Sequence, residues 1–443
     1  LMYVARPWIM AESTLAAPAV VTPPLIAPTV NYKRAEYRLY RDGPTDAQGY
    51  KLNAIAGGLG LRNPDFENPQ SNASRDDLAL KPQMSVVYHA TNFGLHAFRG
   101  GPCPTTGFAS GFFSASSVNC YPETGGEELW AFIPGDQIGK LVSVAKTQSR
   151  LNKTYMLAAP VRITDVFVTG TASTNVSGNV VTVTGVLRTL AIFGRGAGGK
   201  NLTAIDVTVP GPFTKHSLNT NAPIVVWSRG NFDTTDGLVK SGSNDYANNA
   251  ADYTAYLGLG ETWSVPAVGF VNPTLHVTPR RSVEFALFMG SGFSDSSSEG
   301  KTFFVLDALS GDVVRSFALA NGTTATTVLQ TGLPLPNALV ASPAVYAVDD
   351  AGNSPAGLNF LTNPVEAKAK FVYFGDLHSR IWRYALSTPT TAPAVMANLS
   401  GDGDQPFSNG LSVLEVGKVP NLWFSSGRDS RVVLRTNPPR FRM

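Results

Sequence analysis

The feature that most constrains this chain is a recurring local pattern: a β-rich apolar run, a glycine-bearing turn, and a second β-rich run ending near an aromatic residue. The first copy reads Val86-Val87-Tyr88-His89-Ala90, a turn through Thr91-Asn92-Phe93-Gly94, and Leu95-His96-Ala97-Phe98, completed by Glu128-Leu129-Trp130-Ala131-Phe132. A second copy couples Arg188–Gly194 to Asn201–Thr208 across Arg195-Gly196-Ala197-Gly198-Gly199, where glycines allow the positive φ angles of a tight turn. A third joins Glu284–Gly292 to Thr302–Phe317, a fourth runs from Lys370 to Leu386, and Asn421–Arg428 opens a fifth. A small sheet cannot bury both of its faces alone and must stack on neighbours, so such repeats are read as the blades of a ring.

Three further segments, Ala159–Val166, Trp263–Gly269 and Ala341–Tyr346, each set a proline among small residues before an apolar run. That composition suits the innermost strand of a blade, near a crowded axis. The expected fold is therefore all-β: a β-propeller of about seven quinoprotein-like blades, five to seven by direct count, with loop insertions. One short inserted helix is predicted from about Asp136 to Ser149, with Asp136 as its cap and Ile138, Leu141, Val142 and Val144 as apolar positions. Residues 1–50, rich in proline without a clear period, read as a strap or linker, and residues 51–443 as the propeller domain.

Composition supports this. The 443 residues include 42 Gly, 31 Pro and 24 Phe with only 15% charged side chains, which fits short strands and tight turns better than long solvated helices. A formal net charge of +3, without a run of basic residues, argues against a nucleic-acid partner. No apolar stretch is long enough to span a bilayer, and Leu1 opens no signal-peptide pattern, so a processed or partial chain is expected.

The two cysteines, Cys103 and Cys120, flank a loop rich in Gly, Ser, Pro and Thr. Their spacing suits a disulfide, worth about 3 kcal/mol in the chain-entropy model and implying an oxidising compartment; two unrelated thiols are the alternative. Phe108, Phe112, Phe113 and Tyr121 lie in and beside this loop and form a candidate binding tip, against the alternative that they pack back on the adjacent blade.

Taken in order, VYHATNFGLHAF, GEELWAFIP, APVRITDVFV, RTLAIFGRGAGGKNLTAIDVT, TWSVPAVGFV and YFGDLHSRIWRYAL resemble the successive blades of the C-terminal propeller of the PilY1 family of type IV pilus tip proteins. The ordered run covers roughly residues 84 to 430. The resemblance implies a secreted, non-enzymatic protein at the pilus tip that binds minor pilins, supports pilus assembly and extension, and contributes to adhesion to a host or abiotic surface and to motility. Members also carry a calcium loop just before the Tyr-x-Gly-Asp-Leu motif. The matching stretch here offers Asp349, Asp350 and Asn353 as three oxygen ligands for Ca2+, against a solvated turn as the alternative.

Other constellations weigh less. Asp402-Gly403-Asp404 has the spacing of a short calcium loop but lacks a closing Glu, and is read as a surface turn. The glycines at 194, 196, 198 and 199 precede a strand rather than a helix, so a hairpin is preferred to a nucleotide loop. His89, His96, His216, His276 and His378 fall in separate segments and form no metal-binding spacing. No nucleophile elbow appears, and no catalytic residue is assigned. Two rival classes remain open: a quinoprotein-type propeller dehydrogenase and a purely structural periplasmic assembly scaffold.

Overall fold

In the computed structural model the residues described are 16–21, 86–100, 126, 128–146, 154–176, 179–207, 224–231, 250–279, 281–295, 298–319, 328–329, 337–348, 367–399, 406–416, 418–426 and 432–433. Among them the repeats fold into four four-stranded antiparallel sheets, each a meander of strands consecutive along the chain. Blade 1 comprises β1 (Ala19–Val21), β2 (Val86–Ala90), β3 (Leu95–Arg99) and β4 (Glu128–Phe132). Blade 2 comprises β5 (Val161–Val176), β6 (Asn179–Gly194), β7 (Asn201–Asp206) and β8 (Ile224–Gly230), and blade 3 β9 (Ala267–Phe270), β10 (Phe285–Gly290), β11 (Thr302–Asp307) and β12 (Val313–Ala318). After β13 (Val328–Leu329), blade 4 follows as β14 (Ala344–Val348), β15 (Lys368–Gly375), β16 (Arg380–Ala385) and β17 (Ala394–Asn398). A two-stranded sheet of β18 (Ser412–Val416) and β19 (Val419–Trp423) comes next, and β20 (Val432–Val433) pairs with β13. The described residues are nearly all-β, built from propeller-type blades with two short helices.

The alternation of side chains along a strand explains how blades stack. On β10, Phe285, Leu287 and Met289 join a core shared with blade 2, whereas Ala286 and Phe288 join a core shared with blade 4. β11 divides the same way, with Phe304 and Leu306 on one side and Phe303 and Val305 on the other. On β6, Leu190 and Ile192 face blade 3, and Ala191 and Phe193 face blade 1. Strands buried on both faces must read as unbroken apolar runs, and these do.

Aromatic rings fill the seam between blades 3 and 4. Phe303 stacks on Phe374 with centroids 4.2 Å apart, Phe374 lies parallel to Trp382 at 6.4 Å, and Tyr384 is tilted against both Phe303 and Phe317. Between blades 2 and 3, the Trp227 indole donates to Ala308 O at 2.9 Å and the Tyr256 hydroxyl to Gly311 O at 2.6 Å. Tyr346 on β14 donates to Glu415 on β18 at 2.6 Å; burial and this carboxylate push the phenol up to about 12.

The first strands β5, β9 and β14 begin where the proline-containing segments predict them, and β1 approaches β5, β9 approaches β14, and β14 approaches β18. First strands converge, as expected of the inner edge of a ring. Local pattern did not reveal the first strand of blade 1, which comes from the proline-rich stretch: Ala19 pairs with Tyr88 and Val21 with Val86.

The predicted inserted helix is a 3-10 turn, Gly135–Lys140, running into α1, Leu141–Lys146. Asp136 does not cap it; Pro134 holds the N-cap position without a side-chain bond, and the Asp136 carboxylate is engaged elsewhere. A second short helix, α2 (Ala250–Tyr256), precedes blade 3 and was not anticipated.

Candidate functional site

One end of each blade carries the hairpin between its second and third strands, and the connections from one blade to the next run across the same end. Each connection is wedged between two hairpins. The connection before blade 2 receives the Asn92 side chain from the blade 1 hairpin, which donates to Thr154 O and accepts from Met156 N, while Ala158 N donates to Arg195 O of the blade 2 hairpin. The next connection repeats this: Gly196 N donates to Thr262 O, and Glu261 N to Phe293 O. Then Gly292 N donates to Leu339 O and Leu377 N to Ala338 O, and finally Phe407 N donates to Asp376 O.

Two glycines make the approach close enough. A Cβ on Gly198 would lie 1.9 Å from Met156 O, and one on Gly292, at φ +85°, would lie 1.7 Å from Glu261 O. The glycine-rich segment from 194 to 199 is thus a hairpin, as its sequence context suggested, and its glycines serve packing between blades.

The inserted helical segment docks on that hairpin. Arg195, fully buried, donates through Nε to Asp136 Oδ2 at 2.9 Å and through Nη2 to Asp136 Oδ1 at 2.7 Å and Thr203 Oγ1 at 2.7 Å. Burial alone would raise the Asp136 carboxyl, but the guanidinium and further hydrogen bonds outweigh it and hold the group below its ordinary value. Lys140 Nζ donates to Gly198 O. The segment leaves Ile138 and Val142 exposed. Nearby, Glu299 accepts from Lys200, Asn231 and Ser294, and the Trp263 indole donates to Glu261.

The blade 4 hairpin is organised by Asp376. Its buried carboxylate accepts from the backbone N–H groups of His378 and Arg380, from Arg380 Nε at 2.7 Å and from Trp382 Nε1 at 2.9 Å. In the blade 3 turn between β11 and β12, Asp307 accepts from Leu309 N and Ser310 Oγ. These carboxylates brace hairpins.

Three residues that sequence spacing did not connect meet in blade 1. Thr91 Oγ1 lies 3.0 Å from His96 Nε2, and His96 Nδ1 lies 2.6 Å from Glu128 Oε1. The order resembles a hydrolytic relay, but Thr91 is fully buried and its hydroxyl also faces Gly94 O and the N–H groups of Phe93 and Gly94, which makes it a turn clamp. His89 pairs across the hairpin with His96, and burial together with His96 lowers its pKa. The pairing register, visible only once the turn length was known, was the missing signal.

The clearest exposed apolar surface lies on the β18–β19 sheet. Leu414, Val416, Val419 and Trp423 share one face and are 50–63% exposed, while Val413 and Leu422 pack inward with Phe407 and Ile381. Asp349, Asp350, Asn353, Cys103, Cys120, Phe108, Phe112, Phe113, Tyr121, His216, Asp402 and Asp404 lie outside the described residues. Among the described residues no group of His, Cys, Asp or Glu converges on a metal position, and no helix is long and apolar enough to cross a membrane.

A crystal structure of the Pseudomonas aeruginosa PilY1 C-terminal domain matches over 82% of this chain and 57% of its own, with 18% identity and a TM-score of 0.43. The chain is similar to that domain. It spans little more than half of that structure's length. A europium-containing methanol dehydrogenase matches over 73% of this chain and 52% of its own at 10% identity and TM-score 0.25, and BamB from Moraxella catarrhalis over 79% and 77% at 8% and 0.20. No family model and no curated protein matches.

Proposed function

We propose that this chain is the propeller of a non-enzymatic, PilY1-like protein of a type IV pilus, exported to the cell surface, where it binds minor pilins and supports pilus assembly and extension. A role at the pilus tip, in surface adhesion and in motility belongs to the same reading. The observation that carries it is the ordered run of six blade motifs between residues 84 and 430, which falls in the same order on the strands and connections of successive blades. The interlocked hairpins supply a rigid frame. The exposed apolar face around Trp423 supplies a surface of the kind that binds protein. In the Thr91–His96–Glu128 series the Thr91 hydroxyl is buried and engaged in a turn, which speaks against a hydrolytic role.

Calcium at Asp349, Asp350 and Asn353, and a disulfide between Cys103 and Cys120 that braces the loop bearing Phe108, Phe112, Phe113 and Tyr121, are part of this proposal. The test is a pull-down of the purified chain against the minor pilins of the same organism, with and without a calcium chelator. Capture of a minor pilin is the expected result, lost on chelation if calcium shapes the site. Failure to capture any minor pilin in either condition would overturn the pilus reading and favour a free-standing scaffold.

A further inference from the structure

Blade 2 differs from its neighbours in the length of its first two strands. β7 pairs with β6 only from Leu190 to Gly194, yet β5 and β6 remain paired with each other back to Val176 and Asn179. Beyond Arg188 and Thr189, whose carbonyl still accepts from Val207 N, the pair continues from Leu187 back to Asn179 as a two-stranded ribbon, roughly 30 Å long at about 3.3 Å per residue. It leaves the blade at the end opposite the interlocked hairpins, because the β6–β7 hairpin occupies the other end of β6. A bulge between Thr169 and Ala172 twists it.

Its composition is unlike that of an ordinary edge. From Val166 to Leu187 there is no charged residue and no proline, and Val181-Thr182-Val183-Thr184 is strongly β-forming. Proteins block unwanted edge pairing with charges, prolines or short strands, and β4, β8 and β12 carry Glu128, Arg229 and Arg315. The ribbon carries none of these devices. A two-stranded ribbon is also marginal by itself in water, whereas each of the four blades has four strands.

We propose that the ribbon is a self-association element: two copies of this chain pair ribbon edge to ribbon edge, antiparallel and about a two-fold axis, into one four-stranded sheet. A second copy is favoured as the occupant because a two-fold antiparallel pair brings each strand against its own sequence. In a strand with charges that symmetry sets like charges near each other; this strand has none to repel. Among the described residues both ribbon edges pair with nothing else. The inference is independent of pilin binding.

The test is sedimentation equilibrium of the full chain over a wide concentration range, with three variants beside the wild type. Replacing residues 169–185 with an Asn-Gly turn shortens the ribbon to its two basal pairs, Phe167 with Leu187 and Val168 with Val186, and leaves the blade pairing from Val161 to Val166 intact; Ser173→Lys and Thr182→Lys charge β5 and β6 separately. The wild type is expected to form a reversible dimer and the shortened chain to stay monomeric. One lysine variant, the one on the pairing edge, should weaken dimerisation by about tenfold, since the two-fold repeats each substitution. Unchanged thermal melting of the lysine variants separates lost pairing from lost folding, should the shortened chain fold poorly. A wild type that is monomeric at every concentration, a dimer that survives removal of the ribbon, or capture of a different protein's strand by a monomeric chain would each overturn the proposal.

Discussion

Blade 3 and the β18–β19 sheet are built from the same kind of strand and meet opposite fates. Every residue of β10 and β11 is buried, whereas β18 and β19 alternate between exposed and half-buried positions along their whole length. Phe303 and Phe304 are adjacent in sequence and serve two different cores, one on each side of the blade. Leu414 and Trp423 are as apolar, yet the face they share carries no neighbour among the described residues. Burial in this architecture is thus a property of the seam between blades rather than of the strand, and a residue's energetic weight follows from how many seams it enters.

The sharpest way to break that comparison is to damage a seam. Phe303→Ala removes a ring stacked 4.2 Å from Phe374 and should cost about 3–5 kcal/mol in chemical denaturation. Arg195→Leu should cost a similar amount, about 3–5 kcal/mol, because it strands the nearly buried Asp136 carboxylate. If both losses came out below 1 kcal/mol, the blades would not be coupled through these contacts.

A smaller effect is expected from the interlock. Gly292→Ala forces an L side chain into positive φ against Glu261 O, a strain of about 1–3 kcal/mol that should appear as a lowered melting temperature. Smaller still is the pH response. His276 and His89 both have pKa values lowered mainly by burial, so the unfolded chain binds their protons more readily than the folded one. Stability from these groups is complete above about pH 6.5 and is lost as pH falls below it. Melting at pH 7.5 and at pH 5 should show the decline, and His276→Gln should flatten it.

At the far end lies Trp423→Ser. On an open face it should change stability by no more than about 0.5 kcal/mol while weakening any partner that uses that face, which binding measurements on captured partners would read. A large stability loss here would mean that the face is covered.

The blade strands were legible because each seam demands an unbroken apolar run: β2, β3, β10, β11, β15 and β16 all lie where the repeat predicted them. The glycine-rich segment after Gly194 was legible as a hairpin because a strand follows it. Three features were not. β1 pairs with a strand 65 residues later in the chain, Val21 with Val86, and no local pattern encodes such a partner. Asp136 looked like a helix cap because capping is its commonest local role, but a buried arginine from another blade claims it. The β5–β6 ribbon between Val166 and Arg188 went unread, since its small residues lack the apolar density of a blade.

The amino-acid sequence by itself determined the repeat, the all-β class and the positions of most blade strands, because side-chain alternation and glycine turns are short-range signals. Only the tertiary structure decided which connection each hairpin grips, which carboxylate neutralises Arg195, that Thr91, His96 and Glu128 meet, and that one apolar face is left exposed among the described residues. Those outcomes depend on contacts between residues distant in the chain, and the hydrogen bonds and van der Waals distances that select them exist only after the blades have closed against one another.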